Sequence, residues 1–435
     1  MFDLKFIREN EKEIRESILK RGLEIHALND ILKEDIEFRE IKEKVDELRH
    51  ERNVISERIN EAKKQDKDVR PIIEKARKIP EELKSYEEKL SKLEASTSLL
   101  IKKIPNILDK KVPQGKDAKH NKVLRKWGKI PKFKFKIKTH VEIAEDLGLC
   151  DFDASAEVAG KGFYYLKGDL ALLNQALLQF AIDFMKKKGY QYIEPPLMMR
   201  ADIAAAAGDL GAFKDALYKI EGEDLYMIPT AEHAILGMLR DTTLAEEKLP
   251  VKCFGYSMCF RKEVGAHGIN EKGLWRTHQF NKVEQFIFCK QKDSGKYYDE
   301  LLKNSEEIVK KLGLPYRVFE SCAGDLSIWK SRGADIEVYR PTVGEYGEIM
   351  SVSNCGVYQS RDLGIKGTNS KGEKYFINTL NNTAMATSRI MVAILENFQQ
   401  ADGTVKVPSV LQKYVGKKVL GEKKSKKVKK KKSRK

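Results

Sequence analysis

Residues 260–284 of the chain read FRKEVGAHGINEKGLWRTHQFNKVE, and residues 378–389 read NTLNNTAMATSR. Each stretch places an arginine, Arg261 or Arg389, beside apolar residues of the kind that form strands or helices. A guanidinium keeps its charge when it is buried, so it is costly unless an anion meets it. Neither arginine has a matching run of acids nearby. The pair therefore indicates a polyphosphate site, because guanidinium groups bind phosphate oxygens in a bidentate way.

The composition is that of a globular protein with more than one domain. At 435 residues the chain is too long for one ordinary core. A hydrophobic content of 41% supports a core, and 34% charged residues indicate a polar surface. The sequence has neither an apolar run of the roughly 20 residues that span a bilayer nor the apolar segment of a signal peptide. We therefore expect a cytoplasmic protein with no membrane partner.

The net charge of +17 is unevenly distributed along the chain. Residues 417–435 hold twelve Lys and Arg and one Glu, so this stretch alone carries +11. Its lack of apolar residues predicts a disordered, lysine-rich tail. Two roles remain open for it: a salt-dependent affinity for phosphates, or a solvated extension similar to a nuclear-import signal.

The cysteines give no indication of a metal site. Six of them are scattered along the chain without a CxxC pair or a matching histidine spacing. In a chain without a secretion signal, such cysteines are expected to be reduced packing residues. We therefore expect no zinc site.

A heptad pattern runs through residues 38–104. Apolar positions recur at alternating spacings of three and four in 38–62 and again in 72–104, and the polar stretch 63–70 joins the two halves. An antiparallel helical hairpin lets each helix cover the apolar seam of the other. Each helix of about 27 residues would extend about 40 Å. We expect a protruding arm whose basic side chains either stay solvated or lie along nucleic-acid phosphates. Pro80 predicts a kink in the second helix or a late start to it.

The remaining chain has a mixed pattern. Helices are expected at 170–188, 200–208, 231–240, 294–312 and 384–399. Strands are expected at 190–194, 251–261, 275–289, 314–321, 335–339, 346–353 and 374–380. Consecutive strands without intervening helices predict an antiparallel β-sheet flanked by helices, an α+β fold. A turn-rich linker after the arm places an N-terminal domain at 1–112 and a second domain at 113–416.

The common nucleotide-binding loops, GxxxxGK[ST] and GxGxxG after a strand, are absent from the sequence. The motifs instead resemble those of class II aminoacyl-tRNA synthetases, specifically the seryl-tRNA synthetase family. GYQYIEPP at 189–196 resembles the first motif of the class, which helps form its dimer interface. FRKE at 260–263 with HQFNKVE at 278–284 resembles the second motif, and LNNTAMATSR at 380–389 resembles the third. PTAE at 229–232 is similar to the serine-binding turn of the family, and the hairpin is similar to its tRNA-binding arm.

The resemblance, which covers nearly the whole chain apart from the tail, implies roles for particular residues. The implied catalytic residues are Arg261, Glu348 and Arg389. The implied ATP-binding residues are Arg261, Lys262, Glu263, Phe280, Glu348, Ile349, Met350, Ser351 and Arg389. The implied serine-binding residues are Thr230, Ala231, Glu232, Arg261, Glu284 and Thr383. Glu348 and Ser351 would also hold Mg²⁺ together with ATP.

The reaction implied by the resemblance is ATP-dependent attachment of serine to tRNA(Ser) through a seryl-adenylate, with release of AMP and pyrophosphate. The same enzyme would serylate tRNA(Sec) where that tRNA exists, and it would act as a homodimer. Such chemistry depends on positioning and electrostatic stabilisation more than on acid–base groups. His233 and His278 are accordingly expected to be structural. The loop 266–272 differs from the family's usual sequence, so its contacts with the tRNA acceptor end are open.

Three alternatives compete with this interpretation. A related ligase could charge another small amino acid or a carrier protein, but the heptad hairpin favours tRNA. A non-catalytic RNA-binding paralogue is disfavoured because Arg261, Glu263, Glu284 and Arg389 are all present. A basic structural protein with an unrelated α+β domain is supported by the tail alone.

Overall fold

A computed structural model describes residues 2–65, 68–208, 215–263 and 272–421. The chain divides into two compact units, Met1–Ile107 and a second unit that begins at Leu108. Among the described residues, the helices are all too short or too polar to cross a membrane.

The first unit is entirely helical. Its helices are α1 (Leu4–Glu9), α2 (Glu11–Lys20), α3 (His26–Lys64), α4 (Arg70–Ala76) and α5 (Ile79–Ile101). Helices α3 and α5 form the predicted hairpin, and its seam buries Ile41, Val45 and Leu48 against Ile79 and Leu83. Toward the base of the hairpin, the Thr97 hydroxyl donates to the Glu34 carboxylate over 2.6 Å.

The start of the first hairpin helix differs from the prediction, and the start of the second agrees with it. Helix α3 begins at His26, well before the predicted position 38, because apolar residues such as Leu28 and Ile31 continue its buried face. The second helix starts late, as predicted from Pro80, which lies in the first turn of α5. A proline in the first turn costs no hydrogen bond, since the N–H groups there have no partner within the helix.

The second unit is mixed α and β. Its α-helices are α6 (His140–Asp146), α7 (Phe152–Ala159), α8 (Gly168–Lys187), α9 (Ala201–Ala207), α10 (Ala231–Gly237), α11 (Ser294–Leu312), α12 (Tyr358–Asp362), α13 (Thr387–Asn397) and α14 (Gln412–Val415). Short 3₁₀ helices lie at Ala118–His120, Glu246–Lys248, Gln291–Asp293 and Ser409–Leu411. The strands are β1 (Lys122–Trp127), β2 (Cys150–Asp151), β3 (Tyr165–Leu166), β4 (Gln191–Ile193), β5 (Met198–Arg200), β6 (Leu225–Met227), β7 (Thr243–Ala245), β8 (Val251–Phe260), β9 (Gln279–Cys289), β10 (Tyr316–Glu320), β11 (Arg332–Arg340), β12 (Glu345–Asn354), β13 (Lys366–Thr368), β14 (Lys374–Phe376), β15 (Asn378–Ala386), β16 (Val405–Lys406) and β17 (Val419–Leu420).

Eight of these strands form one sheet in the order β1-β10-β11-β12-β15-β9-β8-β4. All neighbours are antiparallel except β4, which runs parallel to β8. Helices α8, α11 and α13 pack on the sheet and bury a core that includes Leu177, Ile287 and Met391. Helices α9 and α10 pack against Phe286 and Phe288 in a second apolar cluster. The predicted α+β fold, a mainly antiparallel sheet flanked by helices, is confirmed.

Some predicted boundaries are wrong. The expected strand 374–380 is two strands, β14 and β15, and β15 continues to Ala386. Helix α13 therefore begins at Thr387 and not near residue 384. The reason is that the last three residues of β15, Ala384, Met385 and Ala386, are good helix formers, and so short an apolar segment does not distinguish the end of a strand from the start of a buried helix.

The predicted tail begins too early at residue 417. Strand β17 pairs with β16, and Leu420 is fully buried. The Asp169 carboxylate bonds Lys417 and accepts a hydrogen bond of 3.0 Å from the Gly421 amide. Two apolar residues and one buried acid thus hold the first five residues of the basic stretch in the fold. The rest of the predicted tail lies outside the described residues.

Candidate active site

A cavity of about 430 Å³ opens beside strands β9, β12 and β15. Most of the site residues predicted from the sequence line it: Thr230, Glu232, Arg261, Glu263, Phe280, Glu284, Glu348, Ile349, Ser351, Thr383 and Arg389. Three predicted residues do not. Ala231 and Met350 are buried in apolar clusters, and the Lys262 ammonium lies over the ring of Tyr218 at 5.7 Å. The side chains of these three residues do not line the cavity, and their assignment to serine or ATP binding stays a prediction.

Strand geometry explains which side chains face the cavity. Phe280, Lys282 and Glu284 on β9 are two residues apart, so they point to the same face of the sheet. On β12 the pairing with β11 shifts by one residue at Ile349. In a regular strand, residues three positions apart point to opposite faces. This β-bulge lets Glu348 and Ser351, which are three positions apart, face the same cavity.

Arg261 follows the end of β8, where two backbone contacts fix it. Its amide donates to the His278 carbonyl over 2.9 Å, and the His278 Nδ1 donates back to the Arg261 carbonyl over 2.8 Å. The guanidinium Nε donates to the Pro229 carbonyl, 3.2 Å away. The guanidinium carbon lies 5.1 Å from the centroid of the Phe280 ring, within cation–π range. Arg261 is thus held in place while part of its N–H fork still faces the cavity.

Glu263 and Phe280 lie beside Arg261 at one side of the cavity. The Glu263 carboxylate accepts a hydrogen bond of 3.2 Å from Arg276. Glu263 also has a backbone φ of 50°, a left-handed conformation that a non-glycine residue rarely adopts. Such strain is retained at functional sites, where it directs a side chain that would otherwise point elsewhere.

Glu284 and Lys282 form a buried ion pair in the floor of the cavity. The Lys282 ammonium also donates to the Thr230 hydroxyl over 3.1 Å. Glu284 lies directly across from Thr383 in the sheet, and the Thr383 hydroxyl donates to its carboxylate over 3.4 Å. Burial raises the pKa of Glu284 to about 7; Lys282 opposes this rise and Glu232 adds to it. Glu284 therefore titrates near neutral pH.

Glu232, at the start of α10, is the second carboxylate of this region. Its Oε1 accepts hydrogen bonds from the side-chain amides of Gln359 and Asn381, at 3.1 and 2.9 Å. Burial raises the pKa of Glu232, while the nearby Lys282 ammonium lowers it. Two acids with raised pKa values in one cavity make this region a candidate functional site.

Arg389 and Glu348 lie in contact with each other in the part of the cavity beside β12. The Arg389 guanidinium donates to the Glu348 carbonyl over 2.9 Å and lies 3.5 Å from its carboxylate. It also lies over the Trp275 ring at 5.5 Å, and Arg340 approaches the same ring at 4.2 Å. Despite partial desolvation, the charges of Arg389 and Lys330 hold the pKa of Glu348 below its usual value. Glu348 is therefore an anion at neutral pH.

Ser351 connects this part of the cavity to a third acid. Its hydroxyl accepts a hydrogen bond of 3.3 Å from the Lys330 ammonium, and it lies across from Asp335 in the sheet. Burial, together with repulsion from Glu348, raises the pKa of Asp335 to about 7. The predicted Mg²⁺ ligands Glu348 and Ser351 are therefore brought together, with Asp335 behind them.

The two candidate histidines fit structural roles. His278 stacks on Phe163 at 5.2 Å and holds the Arg261 backbone as described above. Burial, with nearby Arg261 and Lys282, lowers the pKa of His233 to about 3, so it is neutral at physiological pH.

Several cavity-lining residues were missed by sequence reasoning. They are Trp275, Arg276, Lys282, Lys330 and Asn381. The sequence contained two indications of a site role for Lys282. Lys282 lies two residues before Glu284 in a strand, and both belong to the quoted second motif. Lys330 lies in a loop outside every motif, so no local pattern pointed to it.

All six cysteines are buried and reduced. Within the described ranges, we find no group of three or more His, Cys, Asp or Glu side chains able to hold a metal ion. The loop 266–272, singled out for tRNA contacts, lies outside the described residues except for Lys272. That ammonium forms ion pairs with Asp153 and Glu145, at 2.7 and 3.6 Å.

Comparison with known proteins agrees with this arrangement. Residues 1–108 match the family model of the seryl-tRNA synthetase N-terminal domain, and residues 217–398 match that of the class II tRNA synthetase core domain (G, H, P, S and T). A serine–tRNA ligase from Methanocella arvoryzae is 44% identical over 419 residues, covering 95% of this chain and 99% of its own length. The crystal structure of seryl-tRNA synthetase from Pyrococcus horikoshii with ATP is 38% identical, with a TM-score of 0.91, and the match covers 97% of this chain and 99% of that one. The cytoplasmic serine–tRNA ligase of Naegleria fowleri, solved with AMP, is 34% identical with a TM-score of 0.86 and the same coverage.

Proposed function

The chain belongs to the seryl-tRNA synthetase family of class II aminoacyl-tRNA synthetases, and we propose that the cavity beside β9, β12 and β15 is where it activates serine. The enzyme attaches serine to tRNA through a seryl-adenylate, at the expense of ATP. One observation carries the assignment of the cavity. Two acids of raised pKa, Glu232 and Glu284, lie in the same space as Arg261 and Arg389.

The proposed serine pocket lies between α10 and strands β9 and β15. Glu232 receives the α-ammonium group, and Arg261 receives the carboxylate. The serine hydroxyl donates to the Glu284 carboxylate next to Thr383, whose own hydroxyl is 3.4 Å from that carboxylate. A buried carboxylate without a hydroxyl partner is costly, so alanine is rejected, and larger side chains are excluded by volume.

The proposed ATP site occupies the rest of the cavity. Phe280 supports the adenine ring, Glu263 accepts from its amino group, and Arg276 holds Glu263 in position. Arg261 contacts the α-phosphate, so it lies where the two substrates meet. Arg389 contacts the γ-phosphate, and it is oriented by the Glu348 carbonyl and the Trp275 ring.

The residues present fit a Mg²⁺ ion held mainly by the nucleotide. Mg²⁺ is usually bound by one or two carboxylates together with substrate phosphates. Glu348 is ionised and shares the cavity-facing side of β12 with Ser351. When bound, the ion would share the negative charge of the phosphates.

The chemistry requires orientation more than acid–base groups. A serine carboxylate oxygen attacks the α-phosphorus, an oxygen–phosphorus bond forms, and the bond to pyrophosphate breaks. The terminal hydroxyl of tRNA then attacks the acyl carbonyl, and AMP leaves. Arg261 stabilises charge at the reacting phosphate and Arg389 at the departing pyrophosphate, as fixed dipoles and charges do in preorganised sites.

Further assignments rest on the same family membership. We propose that residues 1–112 with the hairpin arm bind tRNA(Ser), and tRNA(Sec) where it exists, and that the catalytic domain extends from residue 113 through the folded residues 417–421. A homodimer is supported by the exposed apolar side chains of Leu197 and Met198, which directly follow the first motif. A cytoplasmic location is supported by the Naegleria relative, which is described as cytoplasmic.

Amino-acid-dependent exchange of pyrophosphate into ATP tests the proposed pocket. We expect exchange with serine and little with alanine, glycine or threonine. Thr383→Val should weaken serine-dependent exchange, while Thr368→Val, on β13 outside the cavity, should leave it unchanged. Absence of serine-dependent exchange in the unmodified enzyme would overturn the proposal. Sedimentation of the same preparation measures its oligomeric state.

A further inference from the structure

We propose that the segment Lys122–Lys138 of the second unit, here called the basic segment, is a surface that binds the phosphate backbone of RNA, and that tRNA is its ligand. This proposal rests on the proposed function, which supplies an RNA substrate. It concerns residues other than those assigned above to the helical arm, the cavity and the lysine-rich tail.

The charge of the basic segment is extreme for a folded region. Its 17 residues hold eight Lys and Arg and no Asp or Glu, a net charge of +8. The tail 417–435 carries +11, so the chain before it carries +6 out of the total +17. Subtracting the segment from that +6 leaves −2 for all other residues before the tail. The basic segment therefore supplies the entire positive excess of the chain that precedes the tail.

The structure leaves these charges facing solvent. All eight basic side chains are exposed. From Lys132 to Lys138, exposed lysines alternate with the half-buried side chains of Phe133, Phe135 and Ile137. The apolar residues anchor the segment while the lysines point outward, which produces a continuous row of ammonium groups.

Few acids neutralise this row. Arg125 is paired with Glu306, and Lys138 with Asp146. Across the part of the chain that the structure describes, no salt bridge joins a carboxylate to the six other basic residues: Lys122, Lys126, Lys129, Lys132, Lys134 and Lys136. Glu142 is the acid near enough to Lys136 to interact with it electrostatically. An array of unneutralised cations is what a polyanion requires of a binding surface.

Protection of the sheet edge explains only part of this array. Strand β1 is the edge of the large sheet, and lysines on edge strands prevent unwanted pairing. However, five of the eight basic residues follow the end of β1 at Trp127, where there is no edge to protect. Protection of the sheet edge therefore does not account for the lysines that follow Trp127.

A triple charge removal in the full-length enzyme tests the surface. The variant Lys132→Gln, Lys134→Gln, Lys136→Gln is compared with the control Lys303→Gln, Lys311→Gln, Lys371→Gln, which removes the same charge from exposed positions elsewhere in the unit. The dissociation constant for tRNA is measured as a function of salt. Three lost phosphate contacts should reduce the slope of log Kd against log salt by about 2 to 3, with affinity falling about tenfold or more at low salt.

The other measurements separate the possible outcomes. Serine-dependent pyrophosphate exchange needs no tRNA, so it should be unchanged in both variants; its absence in the unmodified enzyme would instead refute the proposed function. Replacing the same three lysines by arginine should restore tRNA binding, because the charge is retained. The proposal is overturned if the glutamine variant binds tRNA with the slope and affinity of the control. It is equally overturned if the segment is needed only for binding to vesicles that contain phosphatidylserine.

Discussion

Replacement of Glu284 by glutamine is the sharpest test of the serine pocket. The substitution keeps the shape of the side chain but removes the charge that accepts the serine hydroxyl. Hydrogen bonds to charged groups contribute about 1.5–3 kcal/mol. The kcat/KM for serine in pyrophosphate exchange should therefore fall about 10- to 150-fold at pH 8.

The pH dependence of kcat/KM for serine provides a second, independent test of the role of Glu284. With a pKa of about 7, Glu284 is ionised in about a tenth of molecules at pH 6 and in about nine tenths at pH 8. Since the ionised carboxylate accepts the serine hydroxyl more strongly than the neutral carboxyl does, kcat/KM for serine in the unmodified enzyme should rise by up to about tenfold between these values. In the Glu284→Gln variant this rise should disappear.

Folding stability should change in the opposite direction. A carboxyl whose pKa is raised from 4.5 to about 7 by folding binds its proton more tightly in the folded protein. The stability it contributes is therefore complete below about pH 4.5 and is lost as the pH rises through about 7, a change of about 3 kcal/mol. Glu284→Gln should remove this pH dependence of the free energy of unfolding, as measured by urea unfolding. In the unmodified enzyme, a rise in pH should strengthen serine binding and lower folding stability.

A matched control is available in Glu320→Gln. Glu320 is also a buried carboxylate in the same sheet, paired with Arg332, but it does not line the cavity. This variant should lose stability and keep its kcat/KM for serine. A kcat/KM for serine in Glu284→Gln within twofold of that of the unmodified enzyme would refute the proposed role of Glu284. A pH rise that persists in this variant would assign the titration to another acid, such as Asp335.

Three further substitutions test the rest of the site. Lys282→Met removes the cation beside Glu284, so the pH rise in serine kcat/KM should shift upward by about one unit or more. Arg389→Lys keeps the charge but loses the planar N–H fork, so kcat of pyrophosphate exchange should fall about 100-fold with little change in serine KM. Gly347→Ala places a methyl group 2.4 Å from the Trp275 ring, so calorimetry should show destabilisation of about 1–3 kcal/mol, and the KM for ATP should rise.

The fold was largely predictable because its main patterns are periodic. The heptad seam predicted the hairpin, and consecutive alternating segments predicted the antiparallel sheet. What could not be predicted was where β15 ends and α13 begins. Strand β15 ends in Ala384, Met385 and Ala386, and a short apolar segment of good helix formers does not distinguish the end of a strand from the start of a buried helix.

The site was predictable in its residues but not in their orientation. Ile349 and Met350 are adjacent in sequence, yet only Ile349 reaches the cavity, because the bulge in β12 determines which side chains face it. A bulge inserts one residue into the alternation and leaves no clear mark in the amino-acid pattern. The side chain of Met350, which the resemblance assigns to ATP, is buried in the same apolar cluster as Ile349 but does not line the cavity.

Lys282 balances the charge of one of the two acids in the proposed serine pocket. When both are ionised, Glu232 and Glu284 contribute two negative charges, and Arg261 and Lys282 contribute two positive ones, so the pocket is then neutral and matches a neutral zwitterion. Lys282 is already paired with Glu284, so in the proposed pocket Glu232 would bind the serine ammonium and Arg261 the carboxylate. Glu284, ionised with the help of that lysine, then accepts only the hydroxyl. Without Lys282 both acids would compete for one ammonium group, and the pocket would recognise any small amino acid by its backbone alone.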